Sequence, residues 1–142
     1  MAAFLGRTTP ILRVADINGA LRFYSDALGF HTHWGDSLFA SIGRDEAVLM
    51  LTAGDQGAGR AWVYIGLADV DALHTELMGR GTAIRHGPRD YPWGAREMQV
   101  ADPDGNVLRF GSDATDEPYG SWMDEDGTLW SYAEGQGWTR MA

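Results

Sequence analysis

The chain has 142 residues, close to the commonest domain size, so a second full domain is not expected. Its 20 acidic residues outnumber 11 basic ones, all of them arginine, and the net charge of −9 disfavours nucleic acid as a partner. Cysteine is absent, which excludes disulfides and thiolate metal sites, and no apolar run resembles a signal or a membrane span. We therefore expect a cytoplasmic protein with no membrane partner.

The first half of the chain has the pattern of a strand, a helix and three strands. Residues 8–15 are rich in β-formers and end at Asp16, whose carboxylate can cap a following helix. That helix has one apolar face, and Gly29 is a suitable stop. Three short strands are predicted next, at residues 30–35, 37–43 and 46–53.

The second half repeats this order after a glycine-rich linker at residues 54–60. The predicted elements are a strand at 61–67, a helix at about 70–79, and strands near 83–86, 95–101 and 106–111.

The two halves also match residue by residue. VADI at Val14–Ile17 matches LADV at Leu67–Val70 with an offset of 53 residues. DEAVLML at Asp45–Leu51 matches DGNVLRF at Asp104–Phe110 with an offset of 59. Two copies of one βαβββ unit, in the α+β class, account for both matches. The predicted bounds are residues 1–113 for the domain, about 8–54 for module one and about 60–112 for module two.

Three motifs carry a resemblance to a known family. ILRVADINGALRFYSDALGF, AVLMLTAG and YPWGAREMQVADPDGNVLRF follow one another between about residues 8 and 112. In this order they resemble the vicinal oxygen chelate superfamily, which includes glyoxalase I, extradiol dioxygenases and bleomycin resistance proteins. The resemblance implies tandem βαβββ modules whose curved mixed sheets form a half-barrel around a cavity. In the metalloenzymes, four strand residues drawn from His, Gln and Glu bind one divalent ion there.

In this chain the positions that match those four ligands hold Thr9, Met50, Trp62 and Arg109. A thioether and an indole cannot replace carboxylate or imidazole, and an arginine cation repels a metal. We expect no metal and no other cofactor. His31 and His33, two apart on a strand, could together hold zinc or copper, but no third ligand is evident nearby.

Within the superfamily the chain is most similar to the bleomycin resistance branch. AWV at Ala61–Val63, PWG at Pro92–Gly94 and the DPxGN turn at Asp102–Asn106 carry this similarity. It implies a homodimer, domain-swapped or unswapped, that catalyses nothing and sequesters a bulky aromatic or cationic compound such as an antibiotic in its grooves.

A planar ligand requires aromatic walls, and a cationic ligand is favoured by the acidic charge. For Arg109 two roles stay open: contact with the ligand, or an ion pair with a neighbouring acid. The predicted ligand-binding residues are Thr9, His33, Trp34, Phe39, Met50, Trp62, Tyr64, Trp93 and Arg109.

Three alternatives to metal-independent binding are retained. The first is a lyase, isomerase or dioxygenase with a non-standard site, in which Arg109 polarises an anionic substrate while His33 or another residue moves protons, although no catalytic pair is evident at a defined spacing. The second is a metal-dependent lyase or dioxygenase with an unrecognised site. The third is a regulatory or interaction module.

Residues 114–142 form an aromatic C-terminal extension. Its tryptophans, Trp122, Trp130 and Trp138, are spaced by eight residues, and a DEDG turn separates the first two. Disordered segments carry few aromatic residues, so we expect the extension to dock on the domain or on a partner subunit as a hairpin. The alternatives are a lid over one cavity mouth and a surface that binds another protein.

Overall fold

The computed structural model describes residues 2–115 and 120–141. Residues 116–119, within the predicted extension, lie outside the described residues. The elements of module one are β1 (Ile11–Arg13), α1 (Ile17–Leu28), β2 (His31–Gly35), β3 (Phe39–Arg44) and β4 (Ala47–Thr52). Those of module two are β5 (Trp62–Gly66), α2 (Val70–Gly79), β6 (His86–Tyr91), β7 (Ala95–Ala101) and β8 (Val107–Asp113). The extension contains β9 (Ser121–Met123), β10 (Leu129–Ala133) and β11 (Gly137–Arg140).

The two modules have identical sheet topology. Their four-stranded sheets have the orders β1-β4-β3-β2 and β5-β8-β7-β6, with the first and last strands of each module parallel. Ile11 lies opposite Met50 in module one, and Tyr64 lies opposite Arg109 in module two, which reproduces the offsets of 53 and 59 residues. The predicted α+β class with tandem βαβββ modules is confirmed. Among the described residues no strand pair joins the two sheets.

Two strands differ from the sequence prediction by more than two residues at one end or at both. The first strand is only three residues long and begins at Ile11, so Thr9 lies before it. Pro10 has no N–H to donate to a strand ladder, which limits the strand at this end. The Pro10 carbonyl still accepts from the Met50 N–H at 2.9 Å. The strand predicted near residues 83–86 begins at His86 and continues to Tyr91. It contains Pro88, which is tolerated because β6 is an edge strand.

The core forms because each helix packs its apolar face against the inner face of its sheet. Helix α1 begins at Asp16, whose side chain accepts from the Gly19 N–H at 2.7 Å, and ends at Gly29 with φ of 71°. Both modules contribute to one continuous cluster of buried side chains. Its large, fully buried members include Leu12, Ile17, Tyr24, Leu28, Ile42, Leu49, Leu51, Leu77, Met98 and Leu108. Neither described helix is long and apolar enough to cross a membrane.

The DPDGN turn between β7 and β8 ties the modules together through a buried carboxylate. Asp102 accepts hydrogen bonds from the Tyr24 hydroxyl on α1 and from the Asn106 side-chain amide, both at 2.9 Å. Asn106 in turn donates to the Arg13 carbonyl and accepts from the Ala61 N–H, each at 2.9 Å. The turn therefore fixes helix α1, the end of β1 and the start of β5 at one point.

A second link joins the modules at the far end of helix α1. The Arg44 guanidinium on β3 donates to both carboxylate oxygens of Glu76 on α2, each at 2.7 Å, and to the Leu28 carbonyl at 3.0 Å. Arg80 also contacts Glu76, at 3.1 Å. The hydrogen bond from Arg44 lowers the pKa of the Glu76 carboxyl below its ordinary value of 4.5, with burial opposing the shift.

The extension folds into a three-stranded antiparallel meander instead of the predicted hairpin. Strand β10 pairs with β9 on one side and with β11 on the other. The β9–β10 turn begins at Asp124, which accepts from the Thr128 N–H at 2.8 Å and the Trp130 indole N–H at 2.8 Å. The meander packs on module two, where the Trp122 ring lies edge-on to Trp93 with centroids 4.9 Å apart.

We expect Tyr24→Phe to lower the free energy of unfolding by about 1.5–3 kcal/mol, because it removes a hydrogen bond to a buried carboxylate. Urea denaturation of the full chain measures the change. The matched control is Tyr64→Phe at a half-exposed tyrosine, for which we expect a change within about 0.5 kcal/mol. Equal effects of the two substitutions would contradict the role given to the Asp102 turn.

The ion pair at Glu76 predicts a pH-dependent contribution to stability. Because the folded-state pKa is lowered, the contribution is present above the unfolded pKa and is lost as pH falls through the folded pKa. We expect Glu76→Gln to cost about 0.5–1 kcal/mol at pH 7, a modest value since the pair is partly solvent-screened. The difference in the free energy of unfolding between Glu76→Gln and wild type, measured by urea denaturation, should become smaller as the pH falls. The exposed control Glu134→Gln should show no such change.

Candidate functional site

Each sheet has one face in the core and one face turned away from it. The residues of the module-one face are Ile11, His33, Trp34, Phe39, Ser41 and Met50. Those of the module-two face include Trp62, Tyr64, Arg89, Tyr91, Trp93, Glu97, Gln99 and Arg109. Eight of the nine predicted ligand-binding residues lie on these two faces, and the ninth, Thr9, precedes β1.

The module-one face presents a pair of aromatic rings. Trp34 is 53% exposed and lies parallel to Phe39, with ring centroids 5.9 Å apart. The register shifts between Thr32 and Trp34, so the simple alternation expected along β2 is interrupted there. His33 lies against Gly43, whose missing side chain provides the space, and its Nδ1 is 3.4 Å from the Ser41 hydroxyl.

The module-two face exposes two further aromatic residues on β5. Trp62 is 55% exposed and Tyr64 is 56% exposed, because both side chains point away from the core. The Tyr64 hydroxyl lies directly over Gly111, where a β-carbon would collide with it. Desolvation raises the pKa of Tyr64, with Glu97 adding to the shift and Arg109 opposing it.

Arg109 is held by an acid on the neighbouring strand. Its guanidinium donates to one carboxylate oxygen of Glu97, and the Trp93 indole N–H donates to the other at 3.0 Å. The Glu97 side chain is only 4% exposed, whereas that of Arg109 is 32% exposed. The guanidinium also lies 5.5 Å from the Trp93 ring centroid and 5.8 Å from that of Tyr91. The charge of Arg109 is therefore balanced within the protein.

The residues at the superfamily's metal-ligand positions do not fit a divalent ion. Met50 lies opposite Ser41 and Ile11, Trp62 projects an indole, and Arg109 is an ion-paired cation. In residues 2–115 and 120–141 no group of three or more His, Asp or Glu side chains has a metal-binding arrangement. We derive no chemical step through a metal at these positions, and metal independence stays a prediction.

Three of the predicted residues line one cavity of ≈ 240 Å³ on module two: Trp62, Trp93 and Arg109. The module-one residues do not line it. Its other walls include Tyr91, Gln99 and Trp122, none of which was predicted. The alternation along β7 could have revealed Glu97 and Gln99. Gln99 lies directly opposite Arg109 and Glu97 lies opposite Gly111, so both side chains share the sheet face of Arg109. No sequence pattern indicates that Trp122 reaches this face.

A larger cavity of ≈ 470 Å³ lies between the modules, beside helix α2. Its walls combine apolar side chains such as Phe30, Ile65 and Phe110 with the Arg44–Glu76 ion pair. None of the nine predicted residues lines it. Two of its five charged residues, Arg44 and Glu76, are already used in joining the modules, so this cavity has a weaker claim to be the functional site.

Comparison with known proteins agrees with this architecture. A family model described as the Glyoxalase/Bleomycin resistance protein/Dioxygenase superfamily matches residues 5–110. The chain belongs to this superfamily, and the resemblance found in its motifs is confirmed. The match ends before the C-terminal extension begins.

The similar proteins include members of the bleomycin resistance branch. The bleomycin resistance protein of Geobacillus stearothermophilus is 27% identical over 126 residues, covering 73% of this chain and 94% of the relative. A bleomycin-binding protein from bleomycin-producing Streptomyces verticillus, solved with copper(II)-bleomycin, is 29% identical with a TM-score of 0.61, covering 80% of this chain and 100% of that one. A bleomycin resistance determinant encoded on the transposon Tn5 has a TM-score of 0.68 at 23% identity, and the match covers 77% of this chain and 98% of that one.

The Arg109–Glu97 pair can be tested by a double-mutant cycle. We expect Glu97→Leu to destabilise the protein by about 3 kcal/mol, because it leaves a guanidinium and an indole N–H without their buried partner. Adding Arg109→Leu should recover part of this loss, with a coupling energy of about 1–3 kcal/mol. Denaturant unfolding of the wild type, both single variants and the double variant measures it. Strict additivity would show that the pair is not coupled.

Proposed function

We propose that this member of the superfamily is a metal-independent binding protein of the bleomycin resistance type, which sequesters an aromatic or cationic small molecule such as an antibiotic. The observation that carries the proposal is the exposure of Trp34, Trp62 and Tyr64 on the two outward sheet faces. Large aromatic side chains on ordered strands outside the core offer flat walls for a planar ligand.

Electrostatics support a cationic ligand. The chain carries a net charge of −9. The cation that the sequence places on the module-two face, Arg109, is already paired with Glu97. A positively charged ligand meets aromatic rings and an overall negative potential on this face, where it would compete with Arg85 and Arg89, whose guanidinium groups lie 5.1 Å from the Trp62 ring centroid and 5.2 Å from that of Tyr91.

The relatives support the binding class. The curated relative is named a bleomycin resistance protein, and the Streptomyces verticillus protein is described as bleomycin-binding. We propose the same class of small-molecule binding for this chain. We do not propose that its ligand is the one that the relatives bind.

The proposal includes a cytoplasmic homodimer. The two outward faces belong to separate sheets. Neither of the two cavities described above is lined by outward-facing residues of both modules. A second copy, swapped or unswapped, would place the module-one face of one protomer against the module-two face of its partner. Such an arrangement would bring Trp34 and Phe39 to one wall of a groove and Trp62 and Tyr64 to the other.

The geometry gives less support to an enzyme. An anionic substrate that used Arg109 would first have to displace Glu97 from the guanidinium. His33 lies on module one, whereas Arg109 lies on module two. The His33 Nδ1 atom is 3.4 Å from the Ser41 hydroxyl. An acid and a base are therefore not paired across one described cavity.

The binding proposal is tested by calorimetric titration of the full chain with bleomycin and with other planar cationic antibiotics. We expect measurable heat, and we expect Trp62→Ala to weaken binding by at least about tenfold, because an exposed stacking surface is lost. Met78→Ala, at an exposed position on helix α2 away from both faces, is the control and should bind like wild type.

Sedimentation of the same samples reports the oligomeric state. A monomer at all concentrations would remove the dimeric groove from the proposal. Absence of heat with every compound at high micromolar protein would contradict the binding function itself.

A further inference from the structure

The C-terminal extension and the module-two face together line an open pocket that lies partly beyond the family match, which ends at residue 110. This extension pocket is the ≈ 240 Å³ cavity introduced above. Its lining residues are Trp62, Tyr91, Trp93, Gln99, Arg109, Trp122, Asp124, Glu125 and Asp126. Four of them belong to the extension, so the pocket exists only because β9 and the β9–β10 turn dock on module two.

The walls of the pocket are aromatic and mutually braced. Tyr91 and Trp93 are stacked with centroids 4.6 Å apart and an interplanar angle of 17°. Trp122 lies edge-on to both, at 5.7 Å from Tyr91 and 4.9 Å from Trp93. Trp138 braces Trp93 from the extension, with centroids 6.4 Å apart. A flat ring is the shape that such walls accept.

Two polar atoms in this region are buried without a partner among the described residues: the Gln99 Oε1 atom and the Trp122 Nε1 atom. Gln99 is only 7% exposed and lines the pocket. A buried polar group without a hydrogen bond is costly, and its presence beside a cavity points to a ligand that completes it. The matching ligand carries an N–H group for the glutamine oxygen and a lone pair for the indole N–H.

The charge of the lining favours a cation. The β9–β10 turn contributes the carboxylates of Asp124, Glu125 and Asp126. The hydrogen bond from the Trp130 indole lowers the pKa of Asp124, so this group stays ionised at neutral pH. The lining cation, Arg109, is neutralised by Glu97. The lining itself therefore holds three acidic groups and one cation whose charge is already balanced. Arg85 and Arg89 lie outside the lining, over the Trp62 and Tyr91 rings, and His86 Nε2 is 3.2 Å from Glu125.

The volume limits the size of the ligand. A cavity of ≈ 240 Å³ equals the liquid volume of roughly eight water molecules, below the usual range for drug-sized ligands. One or two fused rings fit, and a whole bulky antibiotic does not. Trp62 lines the pocket and is also 55% exposed, so a larger molecule could place one group inside and leave the remainder on the open face.

We propose that the extension pocket is a subsite for a planar amino-heteroaromatic cation of one or two rings, which packs against the Trp93–Trp122 aromatic cluster and is hydrogen-bonded by Gln99. The proposal rests on the proposed binding function, since it names the chemical group that the site selects. In this arrangement the extension is a wall of the binding site.

The probe that tests it is 2,4-diaminopyrimidine, which is cationic near neutral pH, carries amino donors and keeps one ring lone pair. Saturation-transfer NMR on the full chain measures its binding, with unsubstituted pyrimidine as the neutral analogue without amino groups. We expect the diamino compound to bind and pyrimidine to bind much more weakly, and we expect the difference to shrink at high salt.

Two near-isosteric variants locate the bound probe. Gln99→Met removes the acceptor, and Trp122→Phe removes the N–H while keeping an aromatic wall. Each should weaken binding of 2,4-diaminopyrimidine by between about twofold and tenfold, as expected for one hydrogen bond. Met123→Leu is the control, because this residue lies next to Trp122 on β9, is 57% exposed and does not line the pocket, and it should bind like wild type.

The outcomes separate this proposal from the broader one. Probe binding that both variants weaken supports the extension pocket, even if bleomycin and its analogues give no heat and the broader function is wrong. Antibiotic binding without any probe binding, or probe binding that neither variant changes, overturns the extension pocket and leaves the broader function standing. Equal binding of pyrimidine and 2,4-diaminopyrimidine overturns the assignment of a cation.

Discussion

The buried carboxylate of Asp102 is the constraint on which the arrangement of the two modules depends. It accepts hydrogen bonds from Tyr24 and from the side chain and backbone of Asn106. Asn106 then bonds to the backbone of both modules. A carboxylate in the core requires this full set of donors, because an unpaired charge there would be very costly. One short turn therefore fixes how two otherwise separate sheets share a hydrophobic cluster.

With the inner faces joined in the core, function falls to the outer faces. The positions that hold metal ligands in related enzymes contain Met50, Trp62 and Arg109 on those faces, and Arg109 is satisfied by Glu97. The same ion pair that removes a free cation from the module-two face also orients the Trp93 indole through Glu97. This face therefore combines aromatic walls with an internally paired arginine, which supports the binding role that we propose.

The extension changes the module-two face from an open surface into a bounded one. Packing of Trp122 and Trp138 against Trp93 buries aromatic area and carries the acidic β9–β10 turn to the rim. The contacts of Trp122 and Trp138 with Trp93 stabilise the docked extension. They also set the size, the charge and the hydrogen-bonding groups of the extension pocket. The superfamily fold provides the platform, and the added segment provides the selectivity that we propose.

The sequence by itself determined the elements of the two modules, their order and the register of the repeat, because helical and strand periodicity and turn residues act locally and the internal match ties Met50 to Arg109. It also identified eight residues that lie on the outward faces. It did not predict the third strand of the extension. Only the tertiary structure decided that Glu97 partners Arg109 and that Trp122 covers Trp93. Those contacts join segments through strand pairing and docking, and such long-range choices depend on the packing of the whole chain, which no local pattern encodes.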